Sequence, residues 1–177
     1  LIPLLEAAEI PYMLTGSLAS SIHGNPRSTR DIDLVIAPES RNLLRLIRSL
    51  PEEKYFASEE SALRALTRDA QFNVIDYETG WKIDFIVVKK RPFSRTEFDR
   101  RSLELVDGVS VFVASPEDVL LAKLEWAKMG SSDRQITDAA GIIQTQGPSL
   151  DDDYVSYWAA ELGVESELDR ARREADT

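Results

Sequence analysis

Asp31 and Asp33 stand two residues apart in the segment Arg27-Ser-Thr-Arg-Asp-Ile-Asp-Leu34. Ile32, Leu34 and Ile36 alternate with them and predict a strand over 31–37. In a strand, residues two apart share a face, so both carboxylates project from one side. Neighbouring carboxylates at a strand end repel each other, and a divalent cation relieves that repulsion. Magnesium accepts such oxygen ligands and shares its shell with water and substrate phosphates. An Asp-x-Asp pair alone is equally what a solvated strand edge or a helix cap shows, so other residues must decide.

Two further segments bear on the choice. Asp84 interrupts the largely apolar run Trp81-Lys-Ile-Asp-Phe-Ile-Val-Val88. A carboxylate in a buried strand is costly unless it is paired or metal-bound. The competing arrangement has Lys82 and Asp84 sharing a solvated face. Thr15-Gly16-Ser17 reads as a strand end, a tight turn and a helix start. Glycine there would let a phosphate approach the backbone, with the Ser17 hydroxyl and unpaired helix N–H groups as donors. An ordinary strand-to-helix turn capped by serine uses the same residues.

The elements that must position these groups follow from periodicity and punctuation. Helices are expected over 1–10 and 18–23, the second stopped by Gly24-Asn25-Pro26, with a strand over 12–15 between them. Ser40 is the expected N-cap of a helix over 41–50. A short strand over 55–57 and a helix over 61–69 precede strands over 72–77 and 81–89. A hairpin of strands 103–106 and 109–114 turns at Asp107-Gly108. Ser115-Pro116-Glu117-Asp118 then starts a helix that Gly130 should end, a second runs from about 133 to 146, and helical character resumes near Asp151. The order predicts an α+β fold: a mixed twisted sheet flanked by helices over 1–114, and a helical C-terminal section over 115–177 packed on it.

Composition narrows the function classes. There is no cysteine, which excludes disulfides and thiolate metal sites and points to the cytoplasm. No apolar run approaches the roughly 20 residues that span a bilayer. The apolar start Leu1–Ala8 lacks a basic leader and a cleavage site. A net charge of −10 disfavours tight nonspecific binding of nucleic acid. The charge is uneven: 89–101 carries six basic and two acidic residues, whereas 151–177 carries nine acidic and three basic. Solvated faces kept for solubility account for both, the alternative being a local basic surface on an acidic protein. His23, the one histidine, sits at an expected helix end, where a capping role outweighs a ligand role.

Taken together and in this order, Gly16-Ser17, Asp31-Ile-Asp33 and Asp84 resemble the DNA polymerase beta-like nucleotidyltransferases over about Tyr12–Val88. The form Arg27-x-Thr29-x-Asp31-Ile-Asp33-Leu34 is similar to that of many small bacterial members. Pro116-Glu-Asp-Val-Leu-Leu-Ala-Lys123 and Arg134-Gln-Ile-Thr-Asp138 resemble motifs of the abortive-infection toxins in that superfamily, though Arg134-Gln135 stands where many have Arg-Asp. The resemblance implies a metal-dependent transfer of NMP from an NTP, such as ATP, to a hydroxyl of a protein, an RNA or a small molecule. It implies Asp31, Asp33 and Asp84 as ligands of Mg²⁺ or Mn²⁺, and Gly16, Ser17 and Lys123 at the nucleotide. Arg27 and Asp138 are further candidates, snorkelling lysine and solvated acid being the plain alternatives for Lys123 and Asp138. A non-catalytic relative that binds nucleotide or a partner, for example in a toxin–antitoxin pair, is the alternative to an enzyme.

Overall fold

A computed structural model describes all 177 residues. Its elements run α1 (Ile2–Ala7), β1 (Tyr12–Thr15), α2 (Gly16–His23), β2 (Asp31–Ile36), α3 (Ser40–Ser49), β3 (Tyr55–Phe56), α4 (Glu59–Arg68), β4 (Gln71–Asp76) and β5 (Lys82–Val87). There follow α5 (Pro92–Asp99), β6 (Ser102–Val106), β7 (Val109–Val113), α6 (Pro116–Gly130), α7 (Asp133–Gln146), α8 (Asp152–Leu162) and α9 (Glu165–Ala175). The chain divides into two compact units. A sheet unit comprises 1–15 and 29–113, and a helical unit comprises 16–28 and 114–177. Residues 16–28, which fall inside the expected 1–114 core, therefore belong with the C-terminal helices.

In the sheet unit, seven strands form one mixed sheet ordered β3-β4-β5-β2-β1-β7-β6. β2 and β5 are parallel neighbours, while β1 with β2 and β4 with β5 are antiparallel. Side-chain alternation separates chemistry from core. One row across the sheet reads Phe72, Phe85, Leu34, Leu14, and all four are buried. Phe72 and Phe85 stack with ring centroids 5.1 Å apart. The adjacent row, pointing to the other face, reads Asn73, Asp84, Asp33, Thr15. α3 carries its apolar side, Leu43, Leu46 and Ile47, into the same unit's core.

Local chemistry moved several helix ends from their expected places. The N-cap of α3 is Glu39, and Ser40 is already helical, without a side-chain cap. α4 starts two residues before 61 because Ser58 caps it, its Oγ accepting from Ser61 N. Helix α5 was not expected. Its charged segment hides Phe93 and Phe98, and Pro92 opens it. Gly130 lies inside α6, and Ser131, at φ 48°, takes the left-handed cap position. The last helical region is two helices, α8 and α9, parted by Gly163.

In the helical unit, α6 and α7 form the central pair, with α2, α8 and α9 against them. Ser115 caps α6 by accepting from Asp118 N, and Tyr154 OH donates to the fully buried Asp118 at 2.6 Å. The end of α2 approaches α7 so closely that a Cβ on Gly24 would lie 2.9 Å from both Gly141 C and Ile142 N. Those are backbone atoms and cannot swing away. Gly24→Ala is therefore expected to cost about 1–3 kcal/mol of stability. Gly130→Ala, in a helix with open space around it, should be neutral or slightly stabilising. Urea denaturation of both variants checks the contrast. No helix is long and apolar enough to cross a membrane.

Candidate functional site

The parallel register of β2 and β5 pairs Asp31 with Lys82 and Asp33 with Asp84. Residues two apart on each strand share a face, so these four side chains stand at the corners of a square. Neighbouring strands are about 4.8 Å apart, which brings the Asp33 and Asp84 carboxyl groups side by side. Burial deepens along β2 from the exposed Asp31 to the buried Leu34, so the acids mark the strand's open end. Asp84 itself is buried, at 9% exposure.

Lys82 is the residue that sequence reasoning weighed only as Asp84's companion on a solvated face. It shares that face, yet its partner is buried. Lys82 Nζ lies 2.8 Å from Asp84 Oδ2 and 3.7 Å from Asp31 Oδ1. The hydrogen bond that Lys82 donates to Asp84, joined by the charges of Asp84, Asp31 and Asp33, raises the Lys82 pKa against the opposing effect of burial. One ammonium thus touches two of the three carboxylates. No three acidic or histidine side chains are gathered tightly enough to hold a metal ion as they stand. As to fit, the donor set is all oxygen and a positive charge already stands among the acids as a stand-in cation. That is the chemistry of a magnesium or manganese ligand set.

A second constellation occupies the helical unit. Gly16 opens α2 at φ 65°, a backbone conformation that favours glycine. Arg27 Nη2 donates to Ser17 Oγ, and Arg27 forks onto Asp138 through Nε and Nη2, each 2.9 Å from a carboxylate oxygen. Lys123 Nζ, on α6, donates to Asp138 Oδ2 at 2.7 Å. The Lys123 and Asp138 side chains are 5% and 8% exposed, which makes this a buried ion pair rather than a snorkelling lysine and a solvated acid. Burial pushes the Asp138 carboxyl up, but the hydrogen bonds and charges of Arg27 and Lys123 outweigh it, and its pKa lies below the ordinary aspartate value. Arg27 Nη1 is buried and has no acceptor.

The structure therefore gathers Asp31, Asp33 and Asp84 in one unit, and Ser17, Arg27, Lys123 and Asp138 in the other. His23 is outside both groups. Its Nε2 is 2.7 Å from the Ala114 carbonyl, so that nitrogen carries the proton and donates. Arg45 and Arg48, on the basic stripe of α3, are engaged by Glu9 and Glu59. Trp126 is 55% exposed on α6.

No family model and no curated protein sequence matches the chain. Solved structures do. ANT(2″)-Ia in complex with adenylyl-2″-tobramycin aligns at a TM-score of 0.63 with 15% identity, covering 91% of each chain. An antigenic nucleotidyltransferase-like protein from Paracoccidioides brasiliensis aligns at 0.55 with 19% identity, covering 94% of this chain and 86% of its own. The lincosamide antibiotic adenylyltransferase LnuA, lincomycin-bound, aligns at 0.54 with 14% identity, covering 80% and 90%. The likeness establishes an α+β nucleotidyltransferase-like fold.

Proposed function

We propose that this chain is a metal-dependent nucleotidyltransferase that moves an NMP from an NTP to an acceptor hydroxyl. The observation that carries the proposal is the row of Asp33 and Asp84 on adjacent parallel strands, with Asp31 beside them and an ammonium between, in a nucleotidyltransferase-like fold.

Asp31, Asp33 and Asp84 would hold Mg²⁺ or Mn²⁺. A bound divalent ion supplies charge neutralisation for the triphosphate and the departing pyrophosphate. Asp84 lies deepest of the three and accepts the proton of the acceptor hydroxyl, a role that requires hydrogen-bond reach. Within the helical unit, Ser17 and the first N–H groups of α2 are donors suited to an anion. Arg27, held by Asp138, stands beside Ser17 in that unit. Positioning and electrostatics supply the rate, and no covalent enzyme intermediate is required.

The tobramycin and lincomycin complexes of the structural neighbours favour a small hydroxylated acceptor for this chain. The sequence resemblance of Pro116–Lys123 and Arg134–Asp138 to toxin motifs keeps RNA or protein as the alternative acceptor class. The test offers each α-labelled NTP with Mg²⁺ to aminoglycosides, lincosamides, tRNA and cell protein. Transfer of label to one acceptor class, dependent on divalent metal, is expected. Nucleotide binding without transfer to any class would indicate a binding protein and defeat the enzymatic reading.

A further inference from the structure

We propose that Lys82 is a built-in counter-ion that offsets part of the acidic site's charge between cycles and must yield its place when a divalent cation binds. The inference rests on the metal assignment above and adds a determinant of metal affinity.

Three observations meet at this residue. The register sets Lys82 directly beside Asp31, and strand alternation sets it on the face of Asp84. Its ammonium contacts both carboxylates, at 3.7 and 2.8 Å. Asp84 is buried, so a charge there needs a partner at all times. A lysine suits a partner that has to leave. Its ammonium is a compact point charge on a flexible stem, and the Lys82 side chain is 42% exposed, which gives it a route to solvent. Arginine would hold a carboxylate in a fork and release it less readily.

Metal binding is then an exchange of ammonium for metal at Asp84 and Asp31. The apparent affinity is lowered by whatever the Lys82 contacts contribute. Removing the amine removes the competitor at Asp84 and Asp31.

Manganese titration read by water-proton relaxation tests this without any turnover. Lys82→Met and Lys82→Gln should each lower the half-saturating Mn²⁺ concentration roughly three- to tenfold, a range set by the modest worth of half-exposed ion pairs. Lys82→Arg should bind no more tightly than wild type. Lys54→Met makes the same charge change at an exposed ion pair with Glu78 and should leave the affinity within about twofold. Thermal melts supply a second reading. Without metal, Lys82→Met should melt below wild type, and saturating Mn²⁺ should close that gap. Equal or weaker binding by both Lys82→Met and Lys82→Gln, with wild type binding normally, overturns the inference alone. If Mn²⁺ binds neither wild type nor any variant, the metal assignment falls with it.

Discussion

Asp33→Asn should abolish most nucleotide transfer, by roughly 10²–10³-fold, while leaving the melting temperature close to that of wild type. The substitution is nearly isosteric and removes one charge from the corner of the square that faces Asp84. That corner offers the greatest concentration of negative charge, because Asp84 is opposite and Asp31 is two residues away on the same face. A neutral amide still occupies the space and still bonds to water. Loss of activity would therefore report the missing charge and not a collapsed strand. The measurement is release of pyrophosphate and transfer of label from the preferred NTP, alongside a thermal melt. Undiminished transfer by Asp33→Asn would sink the catalytic assignment of the acidic row.

Asp138→Ala should be strongly destabilising, costing about 3–5 kcal/mol. Asp138 satisfies two cations: Arg27 through a fork and Lys123 through a 2.7 Å bond, with Lys123 almost wholly enclosed. Truncation strips the buried ammonium of its Asp138 counter-charge, a larger loss than the pair is worth intact. Replacing Lys123 by Met and Asp138 by Leu together should cost much less than Asp138→Ala alone. Unfolding is best followed by tryptophan fluorescence, since Trp126 and Trp158 report on the helical unit.

The pH dependence of this cluster has a definite sign. The folded pKa of Asp138 is depressed, so its contribution is complete above the unfolded value near 3.8 and is lost as pH falls through the folded value. Because burial opposes the two cations, that contribution is smaller than the truncation cost. The acid limb of the stability curve should therefore shift only slightly in Asp138→Asn, even where Asp138→Ala is severely unstable. A large acid shift in Asp138→Asn would contradict this division.

The alternation of Asp31, Ile32, Asp33 and Leu34 was enough to place two carboxylates on one face and two apolar residues on the other, with Leu34 in the core. The Ser115-Pro116 start of α6 was equally legible, since a cap and a proline act within one turn. What sequence could not convey was register. Nothing local says that Asp84 pairs with Asp33, because a slip of β5 by one residue would send it to the other face. The fate of Lys82 hung on that same register. The mutual satisfaction of Arg27, Lys123 and Asp138 was hidden for a related reason: 111 residues separate Arg27 from Asp138. Helix α5 escaped notice because its charges outnumber the two phenylalanines that it buries.

The helical unit is built from two separate stretches of chain, one of them a thirteen-residue excursion between β1 and β2. Recombination at a single junction near residue 114 would hand a relative only part of it. The recipient's own version of 16–28 would then have to accommodate foreign α6 and α7 helices, down to the backbone contact at Gly24 and the His23 bond to Ala114. A cassette of this kind travels poorly. The turn that follows β1 and the C-terminal helices are bound to diverge as one heritable block, and chimaeras that split them should fail to fold.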